Sequence, residues 1–313
     1  MKRRLKKSKQ KKKWIVSTIA FLFLITISIF VNFSQSLGFQ NGEDLKKELN
    51  NTQQNKQISL EEKLIVHVLD VGQGDSIFIE LPNNQTMLID AGEAQEADKI
   101  EKYIKDRGYS KLDYVIGTHP HADHIGGLAK IIHTFPVQSI YMPKAVSTSK
   151  TYENLLNTIL EKNLKVKTAK SGVNMLEEEQ LKLEFVAPNK DSYKELNNFS
   201  SVLKITYGNR KFLFMGDAEE ESEREIKTDI SSDVIKIGHH GSKSSSSKEF
   251  VSLVHPKYAI VSVGKENKYN HPNEEIINRW KSVGAEIYLT STSGTITIES
   301  DGEEIQIITE KET

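Results

Sequence analysis

Apolar and polar positions alternate along this chain in short runs, most of them too brief for helices. Leu64–Asp70, Ser76–Leu81, Thr86–Ile89, Leu112–Gly117 and Ser139–Met142 read as strands. Leu181–Ala187, Ser201–Tyr207, Lys211–Met215, Asp233–Ile237 and Tyr258–Val263 read the same way. Gly294–Ile298 and Glu304–Ile308 form a closing hairpin. Helical spacing covers Ala97–Lys105, Tyr152–Lys162, the acidic Ala218–Ile226 and Glu274–Val283, and a helix starts at Ile125. Turn residues punctuate the runs: Gly72 and Gly74, Pro82-Asn83-Asn84, Gly208-Asn209. There is no internal repeat. The strands fall into two groups, each opening with hairpins and continuing into strand–helix alternation. That pattern predicts mixed sheets in two similar halves, packed face to face, with helices outside and loops meeting along one edge.

The N-terminus departs from this pattern. Residues 1–13 hold nine Lys/Arg and no acid, and Trp14–Phe33 is a charge-free apolar run of 20 residues. Such a run is long enough to span a bilayer, and the basic flank orients it with residues 1–13 in the cytoplasm. The expectation is a transmembrane signal anchor at 14–33, a flexible Asn/Gln/Lys/Glu-rich linker at 34–62 and one folded domain at 63–313, outside the cell. The alternative is secretion after cleavage at Ser34-Gln35-Ser36.

Net charge changes the picture once the flank is set aside. Residues 41–313 carry 33 Lys/Arg against 43 acids, a balance of about −10, which is not the footprint of a non-specific nucleic-acid binder. The basic flank suits anionic lipid. Cysteine is absent, so any metal must be held by His, Asp, Glu or Asn.

The chemistry concentrates in Thr118-His119-Pro120-His121-Ala122-Asp123-His124, at the junction between a buried strand and a helix. Three imidazoles and a carboxylate in six residues repel one another when protonated and are costly to bury, unless a divalent cation takes them as ligands. Other strand-end loops bring Asp90, Asn197–Ser201, Asp217, His239-His240 and His271. Asp90 and Asp217 are also good helix caps. His67, His133 and His255 sit in apolar or surface-helical surroundings and read as structural.

His-x-His-x-Asp-His, with an upstream Asp, a downstream Gly-Asp and a later His, resembles the metallo-β-lactamase superfamily. Finer motifs are Asp70–Ser76, Asn197-Asn198-x-Ser200, Gly238–Lys243 and Asn270-His271-Pro272. Together they resemble the hydrolase domain of ComEC-type competence proteins, over about Leu64–Ile308. The resemblance implies an αββα sandwich, preceded here by the N-terminal transmembrane helix, with two divalent cations, Zn or Mn, at one edge. It places His119 and His121 on the first cation, Asp123 and His124 on the second, and Asp217 between them. One of His239 and His240 completes the second site, His240 being preferred, and Asp90 orients a ligand histidine. Many members bring a third histidine to the first cation, but none lies between His133 and His239 here. The Asn197–Ser201 segment stands in that place, which argues against β-lactam hydrolysis.

The activity this implies is hydrolysis by a dinuclear, metal-activated hydroxide, with Asp123 and His271 as catalytic proton carriers. The expected substrate is an anionic phosphoester or ester, nucleic acid included. A membrane-anchored phosphodiesterase or nuclease is the first reading. An ester or lactone hydrolase (phosphorylcholine esters among its substrates) and a non-enzymatic surface scaffold are the alternatives. Sequence leaves the oligomeric state open.

Overall fold

The computed structural model describes residues 62–311. The expected transmembrane segment Trp14–Phe33 and its flanks lie outside them. Among the described residues, no helix is long and apolar enough to cross a membrane.

Among the described residues, fifteen strands form two sheets. The first runs β15-β14-β1-β2-β3-β4-β5-β6, from β1 (Leu64–Val68), β2 (Ile77–Glu80), β3 (Thr86–Ile89), β4 (Leu112–Ile116), β5 (Val137–Met142), β6 (Val166–Thr168), β14 (Ile296–Ser300) and β15 (Ile305–Thr309). The second runs β13-β12-β11-β10-β9-β8-β7. Its strands are β7 (Asn174–Glu177), β8 (Leu181–Ala187), β9 (Val202–Tyr207), β10 (Arg210–Phe214), β11 (Val234–Lys236), β12 (Tyr258–Val261) and β13 (Glu286–Leu289). Each sheet is antiparallel on one side and parallel on the other, with β3 and β10 at the change.

The central strands are apolar on both faces because both faces are covered. Met87 and Ile89 of β3 point between the sheets, toward a core that includes Leu203, Phe212 and Phe214, while Leu88 points outward. The outer face of the first sheet is covered by α1 (Ala97–Asp106), α3 (Leu128–Thr134) and α4 (Lys150–Glu161) through Ile100, Ile104, Ile131 and Leu155. The second sheet is covered by α6 (Lys248–Val254) and α7 (Glu274–Ser282) through Phe250, Val251, Ile276 and Trp280. Ile100 and Ile104, like Ile276 and Trp280, are four residues apart, one face of a helix. The Ser149, Ser247 and Asn273 side chains cap α4, α6 and α7 by accepting backbone N–H bonds.

The sandwich of two layers with outer helices agrees with the expected fold. The C-terminal hairpin departs from the two-halves picture, since β14 pairs with β1 and so joins the first sheet. His67 is structural, with Nε2 2.9 Å from Glu80 and Nδ1 3.1 Å from Thr297.

Sheet direction decides where loops meet. β3, β4, β10, β11 and β12 all end at one edge, by parallel pairing within each sheet. β2 and β9 run the other way and therefore begin there. This edge receives Asp75 and Ser200 from strand starts, and Asp90, His119, Asp217, His239 and His271 from segments after strand ends. The Ser201 N–H donates to the Thr118 carbonyl (3.0 Å), stitching the two sheets together at the edge.

Candidate metal centre

The histidine cluster is not all loop. His119 lies in a bend after β4 and His121 in extended backbone, whereas Asp123 and His124 lie in a one-turn helix, α2 (Ala122–Ile125), that starts just after His121. That turn rotates His124 back under His119, with ring centroids 4.2 Å apart. Nε2 of His119 and Nδ1 of His121 lie 3.0 Å apart.

Asp217 is the hub, delivered by the tight turn after β10. Its Oδ2 lies 3.2 Å from His124 Nε2, 3.8 Å from His119 Nε2 and 3.8 Å from His239 Nε2. Its Oδ1 lies 3.4 Å from His240 Nε2. Asp123 Oδ2 lies 3.7 Å from His240 Nε2 and 3.9 Å from His124 Nε2. Thus residues 119–124, 217 and 239–240 converge. His271 stands beside them, its ring 5.5 Å from that of His239 and 6.4 Å from that of His240.

Outer contacts fix the rings. Asp90 is fully buried; it accepts from the Thr118 N–H (2.8 Å) and hydroxyl (2.6 Å) and lies 2.8 Å from His124 Nδ1. His240 Nδ1 is 2.9 Å from the Ser262 carbonyl, which leaves its Nε2 for the centre. His239 Nδ1 faces Glu219 at 3.2 Å and Ser244 at 3.1 Å. His239 and His240 both take left-handed backbone, φ 47° and 52°, a strained arrangement that turns two adjacent side chains to one point.

Burial and neighbouring charges pull the groups of the centre in different directions. Burial pushes the His119 imidazolium down, and His124 pushes it further. Burial opposes charge on His124 too, but Asp217 and Asp123 outweigh it and hold that imidazolium well up. Burial raises the Asp217 carboxyl, yet the His124 and His240 imidazoles carry it well below the ordinary range. His271 is pushed down to about 4 by burial and the neighbouring His239 and His240.

These residues fit a dinuclear cation site. His124 Nε2, His240 Nε2 and Asp217 Oδ1 are buried without any hydrogen-bond partner. Metal–ligand bonds of about 2.0–2.2 Å set ligand atoms roughly 3–3.6 Å apart. The separations seen are close to that, and far from a packed apolar arrangement. Among the described residues three groups bring ligand atoms that close together: His119/His124/Asp217, Asp123/His124/His240 and, behind them, Asp75/Asp90/His124.

Sequence reasoning passed over several supports. Lys236 is fully buried and donates to Asp75 and to the Gly216 carbonyl (3.1 Å), behind the centre. Ser200 Oγ accepts from the Asp217 N–H (3.0 Å). Glu219 holds His239, and Asn198 accepts from the Glu219 and Ser222 N–H groups at 3.2 Å. Asp75 and Ser200 stand inside the quoted motifs, which is a signal. Lys236 has only its oddity, a charge within an apolar strand.

A two-sheet sandwich with His, Asp and orphaned nitrogens at one edge defines a class of metal-binding αββα proteins. A family model described as the metallo-beta-lactamase superfamily matches residues 69–265, and the chain belongs to that superfamily. Its relatives include ComEC-type competence proteins. It is 31% identical over 251 residues to ComE operon protein 3 of Bacillus subtilis (strain 168), covering 74% of this chain and 32% of that protein. It is 29% identical over 241 residues to Competence protein ComA of Neisseria gonorrhoeae, covering 75% and 32%. The chain therefore spans about a third of the length of these relatives. Among solved structures, a variant of the CmlA beta-hydroxylase aligns with a TM-score of 0.51 at 14% identity, covering 75% of this chain and 53% of that one. That likeness is one of fold.

Proposed function

We propose that this chain is a membrane-anchored, extracellular phosphodiesterase that acts on nucleic acid with two divalent cations, Zn²⁺ or Mn²⁺. The observation that carries the reading is the ring of buried, unpartnered ligand atoms around Asp217. His119, His121 and Asp217 would hold the first cation, and Asp123, His124, His240 and Asp217 the second. His239 presents its Nε2 to the same Asp217 oxygen as His119 does, so it would serve the first cation in place of the absent third histidine. Glu219 would then orient it, as metal-bound imidazoles require. When bound, the cations supply Lewis acidity, a lowered water pKa and neutralisation of charge on phosphoryl oxygens.

The chain's own groups do the rest. Asp123 is half-buried beside the cleft and would take the proton of the attacking water. His271 lines the same cleft of about 650 Å³ and, being neutral, would offer an N–H to the leaving oxygen. Asp90 holds His124 in one tautomer. The anchor at 14–33, with basic residues 1–13 in the cytoplasm, would keep the domain at the outer surface.

The test uses the full chain with Mn²⁺ or Zn²⁺, assayed on DNA and on bis-p-nitrophenyl phosphate. Metal-dependent cleavage of both is expected, with Asp217→Ala inactive. Asp90→Asn should weaken metal affinity by about 10–100-fold. Intact substrates under all metals would overturn the reading. The acidic side chains Glu93 and Glu266 at the cleft favour a second reading, hydrolysis of less charged esters or lactones, phosphorylcholine esters included. Ester turnover with DNA left intact would select it.

A further inference from the structure

The loop after β12 carries a feature that the metal centre does not use. Six large apolar side chains are well exposed among the described residues, and Tyr269 is the aromatic one. It lines the same cleft as Asp217 and His240. Its ring stacks on that of His271, with centroids 5.7 Å apart and planes at 24°. His271 in turn stacks toward His240 at 26°. A ladder of rings thus climbs from the centre to solvent, and its last member has half its surface exposed.

The loop is built to hold that ring. Asn267 donates to the Gly264 carbonyl (3.1 Å) and the His271 carbonyl (2.8 Å), and accepts from the His271 N–H (3.0 Å). Asn270 takes the left-handed turn between the two rings, φ 56°. A platform fixed in advance loses little freedom when something settles on it. Lys268 places its ammonium 5.1 Å from the Tyr269 centroid, on a flexible stem that can swing to an anion beside the ring. An exposed aromatic with an adjacent cation, next to a phosphoester-sized cleft, matches the recognition of a base and its phosphate.

We propose that Tyr269 stacks on an unpaired nucleobase next to the scissile phosphate, making single-stranded nucleic acid the preferred substrate. The base must be unpaired, because a base within a duplex has both faces covered. The choice of a nucleotide rests on the phosphodiesterase reading of the cleft.

The experiment measures binding apart from turnover. Full-length protein in EDTA, at one fixed salt concentration, is titrated by fluorescence anisotropy with labelled oligothymidylate, an abasic oligomer of equal length and a duplex. The same oligomers are then tested for cleavage with Mn²⁺. Oligothymidylate should bind more tightly than the abasic strand by roughly 5- to 150-fold. Tyr269→Ala should bring that ratio close to one, and Tyr269→Trp should keep it. The exposed site lets both variants fold, which circular dichroism checks. An undiminished ratio in Tyr269→Ala, a wild-type ratio near one, or equal binding of the duplex overturns the proposal. Base-dependent binding without cleavage in any metal would sink the hydrolase reading alone. Cleavage indifferent to bases would sink this proposal alone.

Discussion

Lys236 poses the sharpest question at the scale of single residues. Its ammonium is buried to 1% exposure and is held by Asp75, 161 positions earlier, and by the Gly216 carbonyl. Desolvating two ions is expensive, so such a pair gives little net stability, but removing one partner strands the other charge. Lys236→Met should therefore destabilise the fold by about 3–5 kcal/mol. The double variant with Asp75→Asn should recover part of that loss, as read by denaturant unfolding. A single variant as stable as the parent would show that Asp75 finds another partner. The same pair marks what a sequence hides. His119, His121, Asp123 and His124 were visible because they share one turn of chain. Lys236 was not, because its reason for being buried lies in a different sheet.

At the scale of elements, strands buried on both faces are legible, since Met87–Ile89 and Tyr114–Ile116 are unbroken apolar runs inside strands that are buried throughout. The elements missed carry weak local signals. β7 and β13 have no fully buried residue, and β6 alternates nothing. α6 is two turns long. The closing hairpin is legible as a hairpin, but the sheet it joins is not, because pairing with β1 spans the whole domain. Legible too was the turn before β2, and its glycines have separable duties. A Cβ on Gly74 would sit 2.2 Å from the Asp123 carbonyl oxygen, while one on Gly72 would meet nothing within 4 Å. Both have positive φ, 122° and 68°. Gly72→Ala should then show backbone strain alone, about 1 kcal/mol. Gly74→Ala must also push α2 away from the centre. We expect it to lose metal affinity by about 10–100-fold, as outer-contact changes do. Metal content by mass spectrometry checks this, and equal content in both variants would refute it.

At the scale of the whole molecule, two sheets present opposed loops, and the stitch from Ser201 to Thr118 is one of few direct backbone bonds between those loops. The centre itself joins them otherwise. His119, Asp123 and His124 come from the first sheet, and Asp217, His239 and His240 from the second. These groups meet through contacts of 3.2–3.9 Å, and several of their buried atoms have no hydrogen-bond partner. Cations that bind both sets would cross-link the halves of the sandwich, and their binding energy would add to folding energy. At a free concentration 100 times the dissociation constant that addition is about 2.7 kcal/mol. For a domain of this size it corresponds to a rise of roughly 5–10 °C in Tm. Chelation should therefore lower Tm by that amount, and Mn²⁺ or Zn²⁺ should restore it. Asp217→Asn should melt at the same temperature with or without chelator, because the group shared by both halves has lost its charge. His133→Ala, at an exposed histidine away from the edge, should respond as the parent does. If chelator and cation leave the parent's Tm unmoved, the edge is not a metal centre, and the strained His239-His240 turn would need another cause.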